Sequence, residues 1–211
     1  MRKFNTSGPN ILDEHYTLSR LDLIETGKEL VHTNRYFTIW APRQTGKSTY
    51  FELLTTELEK EGYKVAQINF ENYKKSSMKS FIQTLTDELG KYWHKQFPQK
   101  NLQSVFQDIS NITDEKLVLI FYEVEGINPK FFGDFLHSIR NLYHRRTKHS
   151  LKSVILVSVS NIVGVVQDNA SPFNIADNLN VPYFTNEETR ELLGQHEQET
   201  GQLFEDRKSV V

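Results

Sequence analysis

The chain has 211 residues, of which 37% are hydrophobic and 25% charged, with a formal net charge of −2. That length forms one domain, or one domain with a short appendage, and the composition excludes a disordered chain. The near-neutral balance argues against nucleic acid or an anionic membrane as a partner, and the lack of cysteine removes disulfides, thiolate metal sites and cysteine nucleophiles while fitting a reducing cytoplasm.

The first ten residues carry Arg2 and Lys3 with no apolar stretch behind them, so they are not a secretory signal. Residues 1–34 are polar, broken at Ser7-Gly8-Pro9, and carry a short helical pattern through Leu21, Leu23, Ile24 and Leu30. They read as an N-terminal extension ahead of a core over 35–211. Within the core, 36–40 is a short apolar strand, and a helix with Phe51, Leu54 and Leu58 follows and ends near Gly62. Residues 65–70 form a second strand. Helical patterns over 76–97, halted by Pro98, and over 102–109 come next. Residues 117–121 are a third strand, 129–144 a helix, 154–159 a fourth strand, and 181–184 a short fifth. A last helix opens at Thr185 or Asn186, with Glu187 and Glu188 complementing its dipole, and its pattern stops around Phe204. The most apolar segment, 154–166, is interrupted by Ser158, Ser160, Asn161 and Gly164, too polar and short to span a bilayer. A soluble protein is expected. Continuously apolar strands alternating with amphipathic helices predict an α/β fold, a parallel sheet with helices on both faces.

Between the first strand and the following helix lies Ala41-Pro42-Arg43-Gln44-Thr45-Gly46-Lys47-Ser48-Thr49. This is the phosphate-loop pattern G-x-x-x-x-G-K-[ST] with Ala41 in place of the first glycine. Backbone N–H groups at a helix N-terminus attract phosphate oxygens, and Gly46 lets the chain approach closely. Lys47 is expected to reach the β- and γ-phosphates, Ser48 to ligate Mg²⁺, and Thr49 to lie near the α-phosphate. Alanine disfavours positive φ, so Ala41 must hold an ordinary backbone conformation.

In such domains the third strand ends in an aspartate that organises magnesium, often followed by a catalytic glutamate. Here the strand runs into Tyr122-Glu123-Val124-Glu125, so Tyr122 takes the aspartate slot and Glu123 the glutamate slot. A phenol is neutral at pH 7 and a poor magnesium ligand. Three readings stand beside a plain solvated strand end. Glu123 is the general base of a weakened ATPase, Glu123 or Glu125 takes over the metal, or the site binds nucleotide and barely turns it over. The last is the favoured expectation.

On these residues the chain resembles the AAA-like ATPase domains of bacterial multidomain proteins of the STAND type, a branch of the AAA+-related P-loop NTPases. The resemblance rests on Phe4 through Pro9, Tyr16 and Arg20, the variant loop Ala41 to Ser48, Glu123 through Ile127, and Ser171-Pro172-Phe173-Asn174-Ile175. It implies a three-layer P-loop NTPase fold with a sheet in the order 5-1-4-3-2, ATP with Mg²⁺, and a switch role through self-association or a fused or partner effector domain. It also implies that Arg20 lies near the nucleotide, that Ser160 or Asn161 senses the γ-phosphate, and that a helical lid is absent or truncated here.

His137, His144 and His149 with Arg140, Arg145 and Arg146 form a basic face that reads first as a solvated helix surface. The seven histidines show no metal-ligand spacing, and no serine sits in a G-x-S-x-G elbow. Tyr92, Trp93 and Phe97 follow helical spacing and belong to the core. A competent ATPase relying on Glu123 is the alternative to a binding switch. A P-loop kinase is disfavoured, because no arginine-rich lid is evident.

Overall fold

The computed structural model describes residues 1–6, 8–42, 45–98, 100–112, 115–159 and 177–204. Among them, β1 (Phe37–Trp40), β2 (Tyr63–Asn69), β3 (Lys116–Tyr122), β4 (Leu151–Ser158) and β5 (Asp177–Asn180) form one sheet in the order β2-β3-β4-β1-β5. Every pairing is parallel, so all five strands end at the same edge. This is the expected 5-1-4-3-2 order read from the other side.

The helices are α1 (Leu21–His32), α2 (Lys47–Lys60), α3 (Met78–Trp93), α4 (Leu102–Ser110), α5 (Pro129–Tyr143) and α6 (Asn186–Thr200). Strand side chains alternate between faces, and the two cores follow that alternation. Leu117, Leu119 and Phe121 of β3 face α3, α4 and α5, whereas Val118 and Ile120 face α1 and α2. The first core is strongly aromatic, with Phe70, Phe81, Phe106 and Phe121 surrounding Phe135 at centroid distances of 5.4 to 5.9 Å. Trp93 and Phe97 are buried in it as expected, and the Tyr92 hydroxyl donates to the Gln67 carbonyl.

Two expected elements differ. The fifth strand is Asp177–Asn180, not 181–184. It is an edge strand whose only buried residue is Leu179, so it lacks the apolar run that marks a strand in sequence. After it, the Val181 N–H still donates to the Trp40 carbonyl, but Pro182 has no N–H to continue, and Tyr183 and Phe184 are exposed. Helix α3 ends at Trp93 rather than Phe97, because His94 turns left-handed at φ 49° and its N–H caps the Gly90 carbonyl. Phe97 continues the aromatic pattern from outside the helix.

Helix α6 has no buried residue and docks through the N-terminal segment instead of the sheet. The Gln195 amide donates to the Thr17 carbonyl, Arg2 pairs with Glu199, and Tyr16 packs edge-on against His196. No helix is long and apolar enough to cross a membrane among the described residues.

Candidate nucleotide site

Helices α3, α4, α5 and α6 each begin under a side-chain cap, from Ser77, Asn101, Asn128 and Thr185. Helix α2 does not. Its N-cap is Gly46 in the left-handed conformation (φ 82°), with no side-chain cap and no acidic residue in the first turn. The N–H groups of that turn therefore keep their partial positive charge for an external anion. Space beside Gly46 is not what requires glycine, since a Cβ there would meet only the Phe184 ring at 3.8 Å; the positive φ is.

Around this turn Thr45 is buried and donates its hydroxyl to the Pro42 carbonyl at 3.0 Å. Ala41 is fully buried, its N–H reaching the Ser158 carbonyl, and it is not among the described residues with positive φ. The substitution of the first glycine is thus accommodated by ordinary backbone, as expected. The Ser48 hydroxyl makes no hydrogen bond among the described residues. Thr49, expected near the α-phosphate, has its hydroxyl oxygen engaged by the Asn10 N–H at 3.1 Å. Arg43, Gln44, Ser160, Asn161 and residues 171–175 lie outside the described residues.

The end of β3 faces this turn. Lys47, only 8% exposed, places Nζ 3.6 Å from Oε1 of Glu123. Glu123 is held at φ 54°, a left-handed conformation that a non-glycine residue adopts at a cost of about 1–3 kcal/mol. That turn aims its carboxylate at the loop. Tyr122 follows the strand alternation onto the α2 face and packs on Phe51 at 5.3 Å. Burial, and then the nearby Glu52 carboxylate, push its phenol above the ordinary value, so it is neutral and offers no anionic oxygen. Glu125 accepts from the Val159 N–H at 3.2 Å, tying the end of β3 to that of β4. A Cβ at Gly126 would collide with the Phe70 carbonyl oxygen, which is why the turn after β3 carries glycine there.

Arg20 lies beside the site, but its donors point elsewhere. Nε and Nη2 grip the Glu188 carboxylate at 2.8 and 3.0 Å, and Nη1 and Nη2 reach the Pro182 and Tyr183 carbonyls. Its guanidinium also covers the Phe184 ring at 4.8 Å. Arg20 therefore shapes the β5–α6 turn and sets Phe184 against Gly46. Sequence reading missed Asn10, Phe184 and Glu188. Glu188 was visible as a first-turn acid, and its capping box with Thr185 is present, but nothing local reveals a partner 168 positions away.

The donor set suits a nucleoside triphosphate with its metal. A bare helix N-terminus and a buried lysine could meet phosphates, and Ser48, whose hydroxyl has no partner among the described residues, could with Glu123 supply oxygen for a hard cation. Among the described residues no group of three or more His, Cys, Asp or Glu side chains could hold a metal ion.

No curated protein matches the sequence. Among solved structures the chain is similar to the Aeropyrum pernix ORC1 protein in complex with DNA, with a TM-score of 0.59 and 15% identity over 87% of this chain and 50% of that one. It is similar to the Aeropyrum pernix ORC2 protein in its ADPNP–ADP complexes, at TM-score 0.61 and 13% identity over 93% and 55%. It is likewise similar to Cdc6p from Pyrobaculum aerophilum, at TM-score 0.61 and 15% identity over 91% and 52%. The chain spans about half the length of these proteins, and identities this low establish the shared fold alone. Because the ORC1 protein was solved on DNA, the matches lend no support to the expectation against nucleic acid. The family described as AAA-like domain matches residues 22–205, starting within α1. The chain belongs to the AAA-like domain family.

Proposed function

We propose that the chain binds ATP with Mg²⁺ at the Gly46–Lys47–Ser48 turn and hydrolyses it slowly or not at all, serving as a nucleotide-dependent switch or assembly module of the STAND type. The observation that carries this reading is the pairing of buried Lys47 with Glu123 while Tyr122 packs away on Phe51. On this reading Lys47 and the uncapped α2 N-terminus serve the phosphates, and the acidic half is one carboxylate short. Pro42 to Thr49 contact the phosphates, Ser48 and Glu123 hold the metal, and Glu123 orients water. Arg43 and Gln44 belong to that loop, and Asn161 senses the γ-phosphate. Residues 1–34 act as an extension that closes on the site through Asn10 and Thr49. The rest of the chain is the core, self-association or an effector domain reads its state, and the cytoplasm is the setting.

A competent ATPase remains the second reading, because Glu123 is turned toward Lys47 and keeps an exposed carboxylate edge. Phosphate release from Mg-ATP separates the two. The binding switch expects turnover near background in the natural chain and a clear rise in Tyr122→Asp. Substantial and equal turnover in both would establish Glu123 as sufficient.

A further inference from the structure

At the opposite edge of the sheet, where the strands begin, lies a groove of about 1010 Å³. Lys64, Lys116 and Lys152 stand at the starts of the adjacent strands β2, β3 and β4, and Lys148 sits in the turn entering β4. In register Lys116 lies opposite Tyr63, Lys64 opposite Leu117, and Leu117 opposite Leu151, so the three strand lysines stand at most one residue out of line across the strand starts, and all of them line the groove. Neighbouring strands are about 4.8 Å apart, which spreads that row over roughly 10 Å of rigid backbone.

The groove's acids do not cancel this row. Glu61 is engaged from outside the groove by Lys28 and His32, and Glu115 by Lys64 at 3.1 Å. Glu59 is the remaining carboxylate of the lining. Against it stand Lys116, Lys148 and Lys152, with exposed Arg145 adjoining. Lys116 lies over the Tyr63 ring at 5.4 Å and Lys152 donates to the His149 carbonyl, contacts that orient each ammonium and leave it further donors.

We infer that this groove binds the phosphate backbone of double-stranded nucleic acid without reading sequence. The charge row fits a duplex, which carries one negative charge per about 1.7 Å of axis. A protein partner would need a buried apolar or aromatic anchor. The exposed large hydrophobic residues, however, lie in the N-terminal segment, around α1, in the β5–α6 turn and after α6, and none lines the groove. Single strands call for open aromatic faces on which bases stack. The groove's one aromatic, Tyr63, has Lys116 over its ring and His32 stacked at 6.2 Å. The overall charge of −2 is no obstacle, because screening limits the field to about 10 Å at moderate salt and the row acts locally.

The test is fluorescence anisotropy of a labelled mixed-sequence duplex, titrated with the full chain in the absence of nucleotide across a salt series. The natural chain is expected to bind in the micromolar range at low salt. Combined Lys116→Gln, Lys148→Gln and Lys152→Gln should weaken binding at least tenfold and lower the log–log salt slope by about 0.9 for each lysine–phosphate pairing removed. A triple of equal charge change at the other sheet edge, Lys74→Gln, Lys75→Gln and Lys79→Gln, should stay within twofold, as should Lys47→Ala. A thermal melt of each variant checks that the substitutions leave the fold intact. No binding at low salt, equal weakening in both triples, a single strand binding as tightly as the duplex, or polyglutamate competing as well as duplex would each overturn the inference. Because Lys47→Ala is expected to be silent here, this result is independent of the fate of the nucleotide site.

Discussion

The Lys47 ammonium lies 3.6 Å from Oε1 of Glu123, joining the first turn of α2 to the end of β3. The separation is an ion pair without close hydrogen-bond contact, and Glu123 is one-third exposed, so water screens it. On the proposed function, such a pair would keep a buried lysine neutralised until phosphate replaced the carboxylate. Glu123→Gln should therefore bind metal-free ATP two- to fivefold more tightly, in line with about 0.2–1 kcal/mol for a partly exposed pair. It should bind Mg-ATP more weakly than it binds ATP alone, since the metal then has one anionic oxygen fewer. Calorimetry with and without magnesium reads both.

Tyr122→Asp places a carboxylate against Glu123 and near Glu52, in a pocket shaped for a ring on Phe51. Without metal the variant should melt below the natural chain by several degrees. Adding Mg-ATP should then raise its melting temperature more than that of the natural chain, because the metal relieves the like-charge crowding. An equal rise in both would show that position 122 does not approach the ion.

Gly126→Ala tests the turn that positions Glu123. The added methyl meets the Phe70 and Glu71 backbone rather than a yielding side chain. A loss of about 1–3 kcal/mol in denaturant unfolding is expected, with weakened nucleotide binding as β3 and the β2–α3 connection separate.

Phe135 is fully buried and ringed by Phe70, Phe81, Phe106 and Phe121. Phe135→Ala should cost about 3–5 kcal/mol, and Phe135→Leu distinctly less, because the cavity is smaller. The comparison is made by urea unfolding, where an unchanged slope confirms that stability alone has moved.

Docking of α6 should depend on acid pH. The Arg20 hydrogen bonds hold the Glu188 carboxyl below the ordinary carboxylate range. A depressed folded value means that the stabilisation is fully present above the ordinary value, near pH 4.3, and disappears as pH falls through the lower folded value. Protection of the α6 amides, relative to their intrinsic exchange rates, should therefore fall as pH drops below about 4.3, and Glu188→Gln should show lower protection at neutral pH with a shallower acid dependence. Glu199, held low by Tyr16, leaves part of that dependence in place.

The parts of this architecture that sequence made legible are those where one local signal dominates. Strands β1, β3 and β4 are mostly buried and show as apolar runs, and β2 keeps a buried Val65, Ala66 and Ile68, whereas β5 buries only Leu179 of its four residues and showed nothing. The segment from Ala41 to Thr49 stood out because a phosphate-loop pattern sets glycine, lysine and serine at fixed offsets on one short segment. Tyr122 was readable as a gap in a pattern, though not its seat on Phe51. The partners of Arg20 were not readable, because they are Glu188 and the 182–183 carbonyls, which lie far along the chain. Long-range polar contacts of this kind leave no periodicity.

The most direct test of the nucleotide site is calorimetric titration of Mg-ATP into the natural chain and into Lys47→Ala. The account predicts saturable one-to-one binding by the natural chain and at least tenfold weaker binding by Lys47→Ala, with both proteins melting alike in the absence of nucleotide. Equal affinity in the two, or no binding by either, would contradict it.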